Sequence, residues 1–189
     1  MTRDQLSAFL AAARNAPTAY ERRHYPLFLL LARSGMRLGE ALALRWDDVH
    51  LAETEVRVAC ALSAGRIEKP KSGHGRTVDM REQLGRTLLR LQVQRKTEAL
   101  KRGWRQPPEW VFCAEDGTLV DESRVRKVMR KTLKAAKLPL HFSPHCLRHT
   151  FASLLLQQGE SPAYVQRQLG HASIQLTVDT YGKWLPIGQ

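Results

Sequence analysis

The side chains in this sequence whose chemistry exceeds what packing requires are arginines, histidines and a tyrosine. Arg37 stands in Ser34-Gly35-Met36-Arg37-Leu38-Gly39-Glu40-Ala41-Leu42, between an apolar run and a second apolar face. A guanidinium there is costly unless a carboxylate or a phosphate satisfies it. Glu40, three residues on, shares its helical face. The pair reads either as a structural ion pair or as an arginine held ready for a phosphate. In His145-Cys146-Leu147-Arg148-His149, His145 and Arg148 are at i and i+3, close enough to grip one anion together. His145 and His149, at i and i+4, have the spacing of a helical zinc site, with His141 as a conceivable third ligand. The zinc-protease pattern needs Glu beside the first His, where this chain has Cys146, and no downstream carboxylate ligand is clearly placed. The plain reading of His149 is a satisfied core histidine beside the apolar stretch 151–156. His171, in Leu169-Gly170-His171-Ala172-Ser173, precedes Tyr181 by ten residues. One straight helix would hold those two about 15 Å apart on different faces. A shared site requires a turn between them, and Ser173 supplies the break. Alone, Tyr181 reads as an aromatic that anchors the C-terminal end, and Lys69 and Lys71 as exposed, mobile charges.

These residues fall on a mostly helical pattern. Thr2-Arg3-Asp4-Gln5 predicts a capping box opening a helix with Leu6, Phe9, Leu10 and Ala13 inward. A second helix follows Tyr20, and its segment 27–32 is apolar all round and so buried. Residues 37–44 resume helical spacing. The β-branched content of 56–67 and of Arg76-Thr77-Val78 predicts a small antiparallel sheet with a loose basic hairpin over 69–76. A long polar helix is expected over 81–102, its core face marked by Leu84, Leu88, Leu91 and Val93. Residues 104–108 read as a loop, Val111-Phe112 as a short buried strand, and 121–137 as a further helix. Ser143-Pro144, Ser161-Pro162 and Ser173 each open a helix, running to Gln157, Leu169 and about Thr180, with Gly170 and Gly182 as stops. The fold class expected is α+β: one mostly helical domain with a small antiparallel sheet.

Composition narrows the partners. Thirty Lys and Arg against eighteen Asp and Glu leave a net charge of +12, a surface that favours a polyanion, with nucleic acid first. The segments 81–102 and 121–137 each hold seven basic and two acidic residues, and so carry +10 of that +12. Such concentration points to a docking face rather than merely solvated helices. The longest apolar run, 26–32, is far short of the roughly 20 residues of a membrane span. No secretory signal is visible, and three scattered cysteines, Cys60, Cys113 and Cys146, fit a reducing, cytoplasmic setting.

Taken together, Arg37 in SGMRLGEALAL, a hairpin lysine, HCLRHTFAS, QLGHASI and a tyrosine ten residues on resemble the tyrosine recombinase family, the phage integrases and their chromosomal relatives. The resemblance runs through nearly all of the chain in the family's order. It implies Arg37, His145 and Arg148 around a scissile phosphate, His171 as the further histidine and Tyr181 as the nucleophile. It also implies Lys71 as the hairpin lysine, with Lys69 the competing choice, and Glu40 as the brace of the first arginine. The chemistry agrees with the residue types. Two arginines neutralise a phosphodiester as charge grows in the transition state. A histidine can accept the phenolic proton, and a lysine can protonate the leaving 5′-oxygen. No metal or cofactor is required.

The implied function is site-specific recombination of double-stranded DNA through a 3′-phosphotyrosyl intermediate. The alternatives are a type IB topoisomerase-like relaxing enzyme and a non-catalytic DNA-binding regulator. Residues 1–189 read as the catalytic domain without the family's usual N-terminal DNA clamp, either excised or a natural minimal form. Only eight residues follow Tyr181. A monomer is therefore expected for this chain alone, and a tetramer on recombination sites for the full-length protein. The Tyr181 hydroxyl is expected to be exposed in the site.

Overall fold

In the computed structural model, which describes residues 1–69 and 75–184, the first helix starts as its cap dictates. Thr2 Oγ1 accepts from the Gln5 N–H, and the Gln5 side chain accepts from the Thr2 N–H. This reciprocal pair opens α1 (Arg3–Arg14), which buries Leu6, Phe9, Leu10 and Ala13. The helix expected after Tyr20 is two pieces, α2 (Ala19–Arg22) and α3 (Tyr25–Ser34), the second with Pro26 in its first turn. Residues 27–32 of α3 are at most 2% exposed. Each large apolar side chain among them contributes about 1.5–3 kcal/mol on burial, and α3 is the centre of the core. It ends at Gly35, whose φ of 65° is left-handed. A Cβ there would also stand 2.5 Å from Phe151 Cδ1, so only glycine suits the turn. After it comes α4 (Leu38–Leu42), with Arg37 at its N-cap.

The expected small sheet is two sheets. β1 (Val49–His50), β2 (Glu55–Val58) and β5 (Arg76–Asp79) pair antiparallel in the order β1-β2-β5, with Val56 opposite both Val49 and Val78. β3 (Ala61–Ser63) and β4 (Arg66–Glu68) form a separate hairpin packed on α4. Ala64 and Gly65 close it with φ of 47° and 78°, the two-residue turn whose twist suits antiparallel strands. The stretch from β4 to β5 carries Lys71, which lies outside the described residues.

α5 (Glu82–Lys101) buries Leu84, Leu88, Leu91, Arg95 and Ala99. That stripe leaves Val93 off the face, and Val93 is 58% exposed rather than inward. Val111 and Phe112 are buried as expected, yet they form no strand. Only isolated bridges join Arg45 to Trp110 and Cys113 to Leu119, because the Asp116-Gly117 turn follows too soon for a ladder to extend. α6 (Glu122–Ala135) is capped by Asp121. α7 (Pro144–Gln157) follows Ser143, and α8 (Pro162–Leu169) is capped by Ser161 and stopped by left-handed Gly170. α9 (Ile174–Tyr181) starts at Ser173. α1, α5 and α7 surround α3. A second, smaller core of Phe151, Ala152, Leu155, Leu156, Val165, Leu169 and Tyr181 fastens α8 and α9 to α7. The fold is α+β, mostly helical with small antiparallel sheets. Among the described residues no helix is long and apolar enough to cross a membrane.

Candidate active site

Arg37 begins α4 in extended conformation, so the Glu40 carboxylate folds back to accept its backbone N–H at 2.8 Å and its Nη1 at 3.0 Å. Arg76, at the start of β5, donates Nη1 and Nη2 to the two oxygens of the same carboxylate at 2.8 and 2.7 Å. Its Nε donates to the Gln168 carbonyl at 3.0 Å. Glu40 is thus a buried hub between two guanidiniums, its side chain 8% exposed against 51% for Arg37. Burial alone would raise its carboxyl. The hydrogen bonds and charge of Arg76, then those of Arg37, outweigh burial and hold it below the usual carboxylate range.

A stability test follows. Glu40→Gln leaves two arginines facing a neutral amide and should cost roughly 3 kcal/mol in urea unfolding at neutral pH. Because the folded carboxyl titrates below the unfolded one, this contribution is full above the unfolded value. It is lost as pH falls through the folded one. Wild type and variant should therefore converge only in acid, below the ordinary carboxylate range. Equal stabilities at neutral pH would show that Glu40 braces nothing.

Arg148 projects from α7 into the junction of the two cores and is 2% exposed. Nη1 donates to the Gly35 carbonyl at 2.6 Å and Nη2 to the Leu169 carbonyl at 2.8 Å. The carbonyls that hold it belong to the ends of α3 and α8, so two helix stops orient one guanidinium. Burial first, then the charge of Arg37, lowers its pKa to about 10, and it stays a cation at neutral pH. Among the described residues two of its five N–H groups are used, which leaves donors for an anion. Arg37, His145 and Arg148 line one cleft of about 210 Å³, with Glu122 and Arg126 of α6 on its border. None of that lining comes from α5, and its Arg95 is buried against Glu98 at 2.8 Å. Of the two helices expected to form a docking face, α6 is the one at the cleft.

Four rings complete the cluster. The exposed His145 sits edge-on to His149, ring centroids 4.4 Å apart. Nδ1 of His149 is 2.7 Å from the Tyr181 hydroxyl. The His171 ring lies parallel to that of Tyr181 at 6.2 Å, and its Nδ1 meets Thr177 Oγ1 at 2.9 Å. The turn at Ser173 that the spacing required is what brings His171 and Tyr181 together. Burial first, then the charges of Arg148, Arg37 and Arg76, pushes His171 down to about 4. Burial followed by neighbouring positive charge also lowers His145 and His149. Burial raises Tyr181, against a smaller opposing pull from Arg148. The whole cluster carries an excess of positive charge that an anion would relieve.

Six of the seven residues singled out in the sequence, Arg37, Glu40, His145, Arg148, His171 and Tyr181, thus come together. Lys71 lies outside the described residues, and Lys69 is exposed just past β4. One expectation is corrected: Tyr181 is not exposed but 3% accessible, because its ring packs in the small core of α7 and α8. His149 is satisfied as expected, by the Tyr181 hydroxyl, but it is half-buried rather than in the core. Arg76 was not singled out. Alternation along β5 offered the signal, because it places Arg76 on the inward face of Val78.

The fold is that of a tyrosine recombinase catalytic domain. The chain belongs to the phage integrase family, whose sequence model matches residues 1–184. It is 32% identical over 178 residues to the Tyrosine recombinase XerC-like protein of Caldanaerobacter subterraneus subsp. tengcongensis, covering 85% of this chain and 45% of that one. In fold it is similar to the Tn1549 transposon integrase in complex with transposon right end DNA, with a TM-score of 0.80 and 23% identity. That match covers 96% of this chain and 60% of that one. It is also similar to the XerA recombinase, with a TM-score of 0.77 and 25% identity, over 96% of this chain and 59% of that one. The chain spans about half the length of the curated relatives it matches.

Proposed function

We propose that this chain is the catalytic domain of a site-specific DNA recombinase of a mobile element, which cleaves and rejoins double-stranded DNA through a 3′-phosphotyrosyl bond. The observation that carries the reading is a phenol near the buried Arg148 guanidinium, which shares a positively charged cleft with Arg37. Arg148, pinned by the Gly35 and Leu169 carbonyls, and Arg37, braced by Glu40, present their remaining donors to the non-bridging phosphate oxygens. His145 adds a donor at the mouth of the cleft, and His171 flanks the tyrosine ring. Both arginines are held before substrate arrives, so little reorganisation is needed as charge develops on the phosphate. The Tyr181 oxygen then attacks phosphorus and the 5′-oxygen leaves, protonated by Lys71 from the segment between β4 and β5. The phosphotyrosyl bond conserves the energy needed to rejoin the strand to a new partner, with no metal or nucleotide. The basic α6 flanks the DNA at the cleft. The protein acts in the cytoplasm, as a monomer when this chain is alone and as a tetramer on paired sites in its full-length form.

The test is to incubate the chain with nicked suicide duplexes carrying the DNA that flanks its gene. An SDS-resistant adduct is expected, and digestion should leave the nucleotide on the peptide containing Tyr181. No adduct, or one mapped to another residue, would overturn the reading. Site-independent relaxation of supercoiled plasmid would move it to a topoisomerase-like activity.

A further inference from the structure

Among the described residues, the Tyr181 hydroxyl has one hydrogen-bond partner, Nδ1 of His149 at 2.7 Å. The contact joins α7 to the last turn of α9 across 32 residues of sequence. We propose that His149 is the catalytic proton acceptor for Tyr181, orienting the phenol in the resting site and taking its proton as the oxygen attacks phosphorus. This rests on the recombinase reading above. In the step, a bond forms from the Tyr181 oxygen to phosphorus while the bond from phosphorus to the 5′-oxygen breaks. The phenolic proton passes to His149 Nδ1, and the 5′-oxygen leaves with its electron pair and takes a proton from Lys71. On rejoining, His149 returns the proton to the departing phenolate.

Geometry separates His149 from the other two histidines. His145 is exposed and lines the cleft with Arg37 and Arg148, the place of a donor to phosphate. His171 spends Nδ1 on Thr177 and faces the ring of Tyr181, not its hydroxyl. An acceptor must also be neutral. The groups that face His149 are His145 and Arg148 on its own helix, Tyr181 and His171 from the α9 side, and the Met1 amine, which is bonded to Thr150. Burial first, then the positive charge of His145, Arg148 and the amine, disfavours the imidazolium. The lowered His149 value favours the neutral ring near pH 7, and the proposal requires the tautomer with Nδ1 free of hydrogen and Nε2 protonated.

His149→Asn sets an amide where Nδ1 stands, so the hydrogen bond survives and proton acceptance does not. Adduct formation near neutral pH should slow on the order of 10²-fold, with DNA binding retained. The ratio of wild-type to variant rate should grow as pH rises through the His149 value, which burial and the neighbouring positive charges hold below the ordinary imidazole range, and then level off. Equal rates, a faster variant or a pH-independent ratio would overturn the assignment. Nitrogen NMR of the imidazoles provides a readout without DNA. In the wild type, His149 should be the tautomer with bare Nδ1, and that signal should move in Tyr181→Phe. A protonated Nδ1 at neutral pH would sink the proposal without any cleavage assay. Absence of adduct from the wild type would instead fail the recombinase reading, and the spectrum would still decide what His149 does.

Discussion

Tyr181→Phe should reduce covalent adducts from a readily trapped yield to none, because it deletes the oxygen proposed to attack and little else. The ring packs in the core of α7 and α8, and phenylalanine fills the same space. The stability cost is confined to the hydrogen bond with His149, about 1 kcal/mol. DNA binding should be unchanged, since the two arginines proposed to meet phosphate are left in place. No other tyrosine can take over. Tyr164 donates to Asp79 at 2.5 Å, and burial followed by that carboxylate drives its hydroxyl far up, away from the phenolate a nucleophile must become. Tyr20 is exposed on α2, in a ring pair with His24, and Tyr25, at the start of α3, lines a different groove with Glu82 and Arg86 of α5. The measurement is a denaturing gel of both proteins with one suicide substrate, paired with urea unfolding. Adducts that persist in Tyr181→Phe would remove it as the nucleophile.

What was legible in the sequence was local. Each cap is written in four adjacent residues, so Thr2, Ser143, Ser161 and Ser173 place the starts of α1, α7, α8 and α9 within a residue. The i, i+3 spacing of His145 and Arg148 sets both on one helix, and the break at Ser173 lets His171 reach Tyr181. What was not legible depends on partners far apart in the chain. Glu40 was readable as the brace of Arg37, three residues away. Its stronger partner, Arg76, comes from a strand 36 residues on. The burial of Tyr181 depends on how α8 and α9 close over α7, which no local spacing encodes. His149 follows the same rule: its i, i+4 spacing from His145 gave it a face, while the hydroxyl that defines its chemistry lies 32 residues on. Val93 failed for a simpler reason, since Leu91 and Val93 are two residues apart and cannot share one helical stripe.

The two arginines should respond to substitution differently, and the difference separates clamping from scaffolding. Arg37 is half exposed and, among the described residues, tied only to Glu40, which keeps Arg76 if Arg37 is lost. Arg37→Ala should therefore change stability by less than about 1 kcal/mol while cleavage falls on the order of 10²–10³-fold, the loss of one preorganised charge at the transition state. Arg148→Ala removes the same kind of charge and also strands the Gly35 and Leu169 carbonyls, which it satisfies from inside the protein. It should abolish cleavage and also lower stability by about 2–4 kcal/mol. Arg148→Lys is the more informative variant. A lysine keeps a charge at low pH, yet it cannot span both carbonyls and a phosphate as a planar fork does. In the field of Arg37 and Arg76, with burial acting the same way, its ammonium would titrate early. Cleavage by Arg148→Lys should stay at least 10²-fold below wild type at every pH, with stability between those of wild type and Arg148→Ala. Cleavage rates on one suicide substrate and urea midpoints for all three variants make the check. Near-wild-type cleavage by Arg148→Lys would mean that charge alone is needed, and that the two helix stops position Arg148 for stability rather than for phosphate.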